Sequence, residues 1–119
     1  MKIGILTFHR SINYGAFMQC YALSHELKER YPNHDVEVVD FEYLHKHRAY
    51  RRKISKINPF GIEYSHMYAR FQKDLEILPL SIETFITADT KDLRDYIKRN
   101  YDIVIVGSDA LWADKGCCK

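Results

Sequence analysis

Apolar residues at Ile3, Ile5 and Leu6 make Met1 to Thr7 a run with no turn former in it, which predicts a buried first strand. Phe8 to Ile12 leaves that strand through a more polar loop. Ala16, Cys20, Leu23 and Leu27 then recur at steps of four, three and four, so a helix opens at Asn13-Tyr14-Gly15 and carries one apolar face. Pro32 and Asn33 end it in a turn. Asp35 to Phe41, rich in valine, predicts a second strand. Strand, helix and strand at this spacing form a βαβ unit, with the two strands parallel and the crossover right-handed.

Periodicity weakens beyond Leu44. Leu44 to Pro59 is expected as a solvated, partly helical excursion, closed by Asn58-Pro59-Phe60-Gly61. Helical spacing resumes from Ile62 to Leu78, where Met67, Phe71, Leu75 and Leu78 repeat at four, four and three. Thr84 to Ala88 is short and of undetermined type. Asp89 or Thr90 caps a further helix, Lys91 to Asn100, with Leu93 and Ile97 facing inward and Tyr96 beside them. Tyr101 to Val106 is a continuous apolar strand of the kind buried on both faces of a parallel sheet, with Gly107-Ser108-Asp109 at its carboxyl end. The pattern predicts an α/β, Rossmann-like parallel sheet with flanking helices, forming one domain over residues 1–119.

Composition narrows this only slightly. An apolar content of 46% and a charged content of 29% are ordinary for a globular chain. No apolar run approaches the ~20 residues of a membrane span, and the start of the chain does not read as a signal peptide, so the cytoplasm is the expected location. The cysteines Cys20, Cys117 and Cys118 do not suit a disulfide framework. Cys20 lies on the apolar helix face, and the pair at the end offers two ligands where zinc wants three or four, so no metal site is expected.

Charge distribution says more than the net +2. Lys46, Arg48, Arg51, Arg52, Lys53 and Lys56 stand together, with no acid between Leu44 and Ile62. The remaining twelve basic and sixteen acidic residues balance at −4. Tyr50 within this cluster is the mixture that a single-stranded nucleic acid or another anionic polymer would use. The alternative, a solvated loop, is preferred because no other sign of nucleic-acid binding accompanies it.

Two polar loops therefore follow buried strands: His9 to Gly15, and Gly107 to Asp109. The carboxyl edge of an open α/β sheet is where ligands bind. The first loop ends at a helix N-terminus, where unpaired amides and the positive end of the helix dipole favour phosphate or carboxylate. His9 and Arg10 are candidate anion contacts, and Gln19 lies one turn beyond Gly15 on the same side. Ser108 offers a donor and acceptor, and Asp109 an acceptor for sugar hydroxyls. Plainer roles remain open for each: Asn13 as a helix cap, Gly15 as a packing glycine, His9 and Arg10 as a solvated loop, Asp109 as an N-cap, Gln19 in water. Spacing points to an anion-binding α/β domain without naming a reaction.

Asn13-Tyr14-Gly15-Ala16-Phe17-Met18-Gln19-Cys20-Tyr21-Ala22-Leu23 resembles the first signature of the polysaccharide pyruvyl transferase family. Tyr101-Asp102, the apolar strand and Gly107-Ser108-Asp109-Ala110-Leu111-Trp112 are similar to the second, although Ala110 and Ala113 stand where the family usually carries Gln and Asn. The resemblance implies transfer of the pyruvyl unit of phosphoenolpyruvate to a sugar as a ketal, in cell-surface polysaccharide synthesis. Phosphoenolpyruvate would be the donor substrate, a sugar or glycan the acceptor, and no cofactor is implied. It also implies a fold like the N-terminal lobe of a two-lobed, glycosyltransferase-like enzyme, with the site in the cleft. Asn13, Tyr14, Gly15, Gln19 and Gly107 would then face the substrates, and Ser108 and Asp109 the sugar. Since the resemblance covers only the N-terminal part of the family, the chain is expected to be truncated, or one lobe needing a partner, and inactive alone. The alternatives are a non-catalytic anion- or nucleotide-binding module, and a nucleotide-sugar glycosyltransferase lobe.

Overall fold

Ile3 and Ile5 of the first strand, β1 (Lys2–Leu6), point to one side of the sheet, and Val36 and Val38 of β2 (Asp35–Tyr43) point to the same side. Phe17 and Cys20 of helix α1 (Tyr14–Arg30) close over them. Val39 and Phe41 point the other way, so β2 is buried on both faces, as its valine-rich sequence requires. The molecule, a computed structural model that describes residues 1–55 and 59–107, continues through α2 (Leu44–Ile54), α3 (Pro59–Asp74) and a 3-10 turn (Leu75–Ile77). It then enters β3 (Leu80–Thr87), α4 (Lys91–Asn100) and β4 (Ile103–Val106).

All pairings are parallel, in the order β3-β2-β1-β4. Successive strands step one way from β1 to β3, and the chain then returns across the sheet to place β4 on the far side of β1. Phe71, Leu75 and Leu78 join α1 over one face, while Leu93 and Tyr96 of α4, with Tyr101, cover the other. This is the Rossmann-like α/β arrangement that the pattern predicts. Its topological switch lies between β1 and β4, where the strand order reverses: α1, which follows β1, covers one face, and α4, which precedes β4, covers the other. Leu6 pairs with Val106 there, and the Gly107 amide donates to the Leu6 carbonyl at 3.0 Å.

Several elements differ from expectation. The segment expected to be irregular after Leu44 is the helix α2, which buries none of its side chains; its exposure is why apolar periodicity does not mark it. α3 begins at Pro59, a residue suited to a first helical turn, and Phe71 is buried while Met67 is exposed. The undetermined stretch near Thr84 belongs to an eight-residue edge strand, β3, with Ile82 almost wholly exposed. β4, expected as a fully buried strand, pairs only with β1 among the described residues, and Ile103, Val104 and Val106 are exposed. Of the two cap candidates for α4, Thr90 holds the N-cap position without a side-chain bond, and Asp89 Oδ1 accepts from the Lys91 amide at 2.9 Å, as the sequence allows. In α4, Tyr96 is the deeper residue and Ile97 packs at the margin. The expectations for Lys56, Ser108, Asp109, Trp112, Cys117 and Cys118 lie outside the described residues.

One contact holds the segment that enters β4 against β1. The Tyr101 ring lies over Gly4, where an added Cβ would stand 2.8 Å from the ring. Its hydroxyl donates to Glu37, and burial, reinforced by that carboxylate, raises the phenol above its ordinary pKa. Gly4→Ala is therefore expected to lower stability by about 1–3 kcal/mol, the usual cost of overpacking. Urea unfolding of the variant against the parent measures this, and an unchanged midpoint would mean that the ring is free to move aside.

Candidate functional site

As the chain leaves β1 it passes through Thr7, Phe8, His9 and Arg10. The last two turn inward. His9 is fully buried; its Nε2 lies 2.8 Å from Asp40 Oδ1 and its Nδ1 3.2 Å from the Thr7 carbonyl oxygen. Arg10 clasps the same carboxylate with two donors, Nε to Oδ1 at 2.5 Å and Nη2 to Oδ2 at 2.7 Å, and Nη1 reaches Gln72 Oε1 of α3 at 3.3 Å. From β3, Thr84 donates to Asp40 Oδ2 at 2.8 Å, and Ser81 Oγ accepts from the Asp40 amide at 2.9 Å. This is no solvated loop. The anion that His9 and Arg10 hold in the fold is an internal one, the Asp40 side chain.

Burial by itself would push the Asp40 carboxyl up, but the hydrogen bonds from Arg10 and His9, with the charge of Arg10, prevail and hold it well below the usual carboxylate range. The bidentate guanidinium geometry is the strong form of such a pair.

With its first residues fixed, the loop continues through Ser11 and Ile12 to Asn13, whose extended backbone (φ −148°, ψ 109°) makes it the N-cap of α1. Asn13 Oδ1 accepts from the Gly15 amide at 2.9 Å. An added Cβ on Gly15 would stand 3.1 Å from that same oxygen, so the glycine leaves room for the cap rather than for helix-on-sheet packing. The amides of Tyr14 and Ala16 have no carbonyl one turn back to bond, and they sit at the positive end of the helix dipole.

A cavity of ≈ 450 Å³ opens in front of this helix end. It is lined by Phe8, Ser11, Ile12, Asn13, Gly15, Ala16 and Gln19, and from α2 by Lys46 and Tyr50. Lys46 Nζ stands 5.1 Å from the centre of the Phe8 ring, and the Tyr50 hydroxyl accepts a long hydrogen bond, 3.5 Å, from the Ile12 amide. No carboxylate is among the described residues that line it. An ammonium group and a helix N-terminus thus face one concave space, a field suited to an anion.

Of the residues singled out in sequence, Asn13, Gly15 and Gln19 line this cavity. Tyr14 does not: its ring packs edge-on against Phe71 at 5.4 Å, and its hydroxyl donates to Asp74 of α3 at 2.7 Å. Gly107 is buried against the end of β1, where an added Cβ would lie 2.6 Å from Thr7 Cγ2, so the first residues after β1 and β4 meet at one rim. Beneath it the Thr7 hydroxyl is buried with no hydrogen-bond partner among the described residues. Sequence reasoning missed Lys46, Tyr50 and Phe8 as lining residues, because α2 read as a solvated excursion; the absence of acid between Leu44 and Ile62 was the available signal. No group of three or more metal-ligating side chains is gathered among the described residues, and none of their helices is long and apolar enough to cross a membrane.

The family model described as polysaccharide pyruvyl transferase matches residues 13–116. The chain belongs to that family. No curated protein and no solved structure matches it. The family match begins at the cap residue Asn13 and takes in the whole α1 end of the cavity together with Lys46 and Tyr50.

Asp40→Asn is expected to cost about 3–5 kcal/mol at pH 7, because it leaves the Arg10 guanidinium without its counter-charge. The sign with pH follows from the lowered carboxyl. The stabilisation is complete above the unfolded aspartate value of about 3.9 and is lost as pH falls through the lower value in the fold. Denaturant unfolding of parent and variant should therefore show a gap at pH 7 that narrows toward pH ~3. A gap independent of pH would assign the effect to shape rather than charge.

Proposed function

We propose that the cavity before α1 receives phosphoenolpyruvate, whose pyruvyl unit is passed to a sugar hydroxyl pair as a ketal, in the synthesis of a cell-surface polysaccharide in the cytoplasm. Both hydroxyl oxygens bond to the enol C2 and inorganic phosphate leaves from it; the two hydroxyl protons are balanced by one gained at C3 and one carried off by phosphate. The observation that carries this reading is the convergence of Lys46 with the α1 N-terminus around a cavity whose described lining holds no carboxylate, in a chain of the pyruvyl transferase family. Phosphoenolpyruvate carries two anionic groups, and a helix end and an ammonium are two separate positive elements that fit them. Asn13 and Gly15 shape the helix end, and Gln19 borders it one turn further on. Ser108 and Asp109, which follow Gly107 in sequence, are assigned to the acceptor sugar on the strength of the family resemblance. His9 and Arg10 act on the donor indirectly, through the loop that they anchor on Asp40.

Ketal formation needs a proton for the enol carbon and exclusion of water. No carboxyl or imidazole, the donors best matched to neutral pH, lines the cavity among the described residues. In our reading a second lobe supplies the acid and closes the cleft, so the 119-residue chain binds the donor without turning it over.

Calorimetric titration with phosphoenolpyruvate tests the binding half of this reading. Lys46→Ala should weaken binding about tenfold, or ~1.4 kcal/mol. Ketal should not form when the chain is mixed with donor and sugar. Binding unaffected by Lys46→Ala would refute the assignment, as would stabilisation by a nucleotide sugar that exceeds that by phosphoenolpyruvate.

A further inference from the structure

The far end of α2 combines two surface properties that the cavity does not use. Arg51, Arg52 and Lys53 close the helix and are all exposed, and no acidic residue lies between Leu44 and Ile62. Lys53 Nζ stands 5.2 Å from the centre of the Tyr64 ring, which brings this end of α2 against the first turns of α3. In those turns Phe60 is 79% exposed and Ile62 60% exposed. The negative end of the helix dipole accounts for cations at the last turn of α2. It does not account for a phenyl ring and a branched alkyl chain left in water beside them.

A nucleic-acid track would pair cations with open rings for stacking. Here Tyr50 meets Tyr68 and the Ile12 amide, and Tyr64 is covered by Lys53, while an aliphatic side chain such as Ile62 offers nothing to a base or phosphate. Cations flanking exposed apolar side chains on a helical surface match an anionic lipid interface, with charge at the headgroups and apolar groups at the acyl boundary. We propose that the joined ends of α2 and α3 dock on an anionic phospholipid bilayer, with Arg51, Arg52 and Lys53 at the headgroups and Phe60 and Ile62 inserted. Because α2 also carries Lys46 and Tyr50 to the cavity, the docked surface and the candidate site share one helix. The proposal stands apart from the transferase reading and does not need it.

Co-sedimentation of the full chain with vesicles decides the matter. Vesicles of phosphatidylcholine with about one-third phosphatidylglycerol should bind at least about tenfold more tightly than pure phosphatidylcholine at ~0.1 M salt. The pair Arg51→Glu and Arg52→Glu should remove about that factor, while Arg94→Glu with Lys98→Glu, an equal charge change on α4, should leave binding within about twofold. Phe60→Ser with Ile62→Ser should weaken binding about fivefold at unchanged net charge. Equal binding to neutral vesicles, an equal loss from the α4 pair, or no effect of the serine pair would overturn the proposal. So would a single-stranded oligonucleotide that binds more tightly at the same salt and displaces the vesicles. Thermal melts confirm that each variant is folded, and should the serine pair fail to fold, the two charge-reversal pairs still decide.

Discussion

A carboxylate buried in the middle of a sheet must be surrounded by donors or it unfolds its host. Asp40 is such a group, and it receives Arg10 in two-point contact, His9 and Thr84, while its own amide is bonded by Ser81. Those partners come from the loop after β1 and from β3, so a single side chain on β2 fixes both neighbours. Removing one charge of such a group leaves the other stranded at a cost of several kcal/mol. The direction in which the chain leaves β1 is therefore dictated by charge satisfaction, not by packing alone. Where that loop goes, the cap Asn13 and the first turn of α1 follow.

The cavity is a consequence of this anchoring together with topology. Parallel pairing of β4 with β1 puts the loop after β1 and the end of β4 at one switch point, and Gly107 closes on Thr7, whose Cγ2 leaves no room for a Cβ. α2 leaves the carboxyl end of β2 at the same edge and turns Lys46 and Tyr50 toward α1. Lys46, the first cation of the concentrated positive block, thus flanks the helix end, where it adds to the dipole rather than opposing it.

Much of this was legible in the residues, and the exceptions share a cause. Strands β1 and β2, helix α1 and its Asn13 cap are announced by local periodicity and cap chemistry, which depend on few neighbours. The long-range partners were not. Nothing local marks Asp40 as the partner of His9 and Arg10, about thirty residues away, so those two read as contacts for an external anion when they are committed to the interior. α2 hid because a helix that buries nothing has no apolar stripe. β4 differs in the opposite sense: Ile-Val-Ile-Val reports that a strand is apolar, but not that it pairs on one side only among the described residues. Gly15 reads in sequence either as an open approach to the backbone or as a packing glycine, and its neighbour in the fold is the cap oxygen of Asn13 rather than the sheet.

The account stands on the claim that an anion enters between the α1 N-terminus and Lys46, and amide chemical shifts report that directly. Titrating ¹⁵N-labelled protein with phosphoenolpyruvate should move the amides of Gly15, Ala16 and Lys46 most, with β3 and α4 nearly still. Shifts concentrated on α4 or β3, or no shifts at saturating ligand, would contradict it.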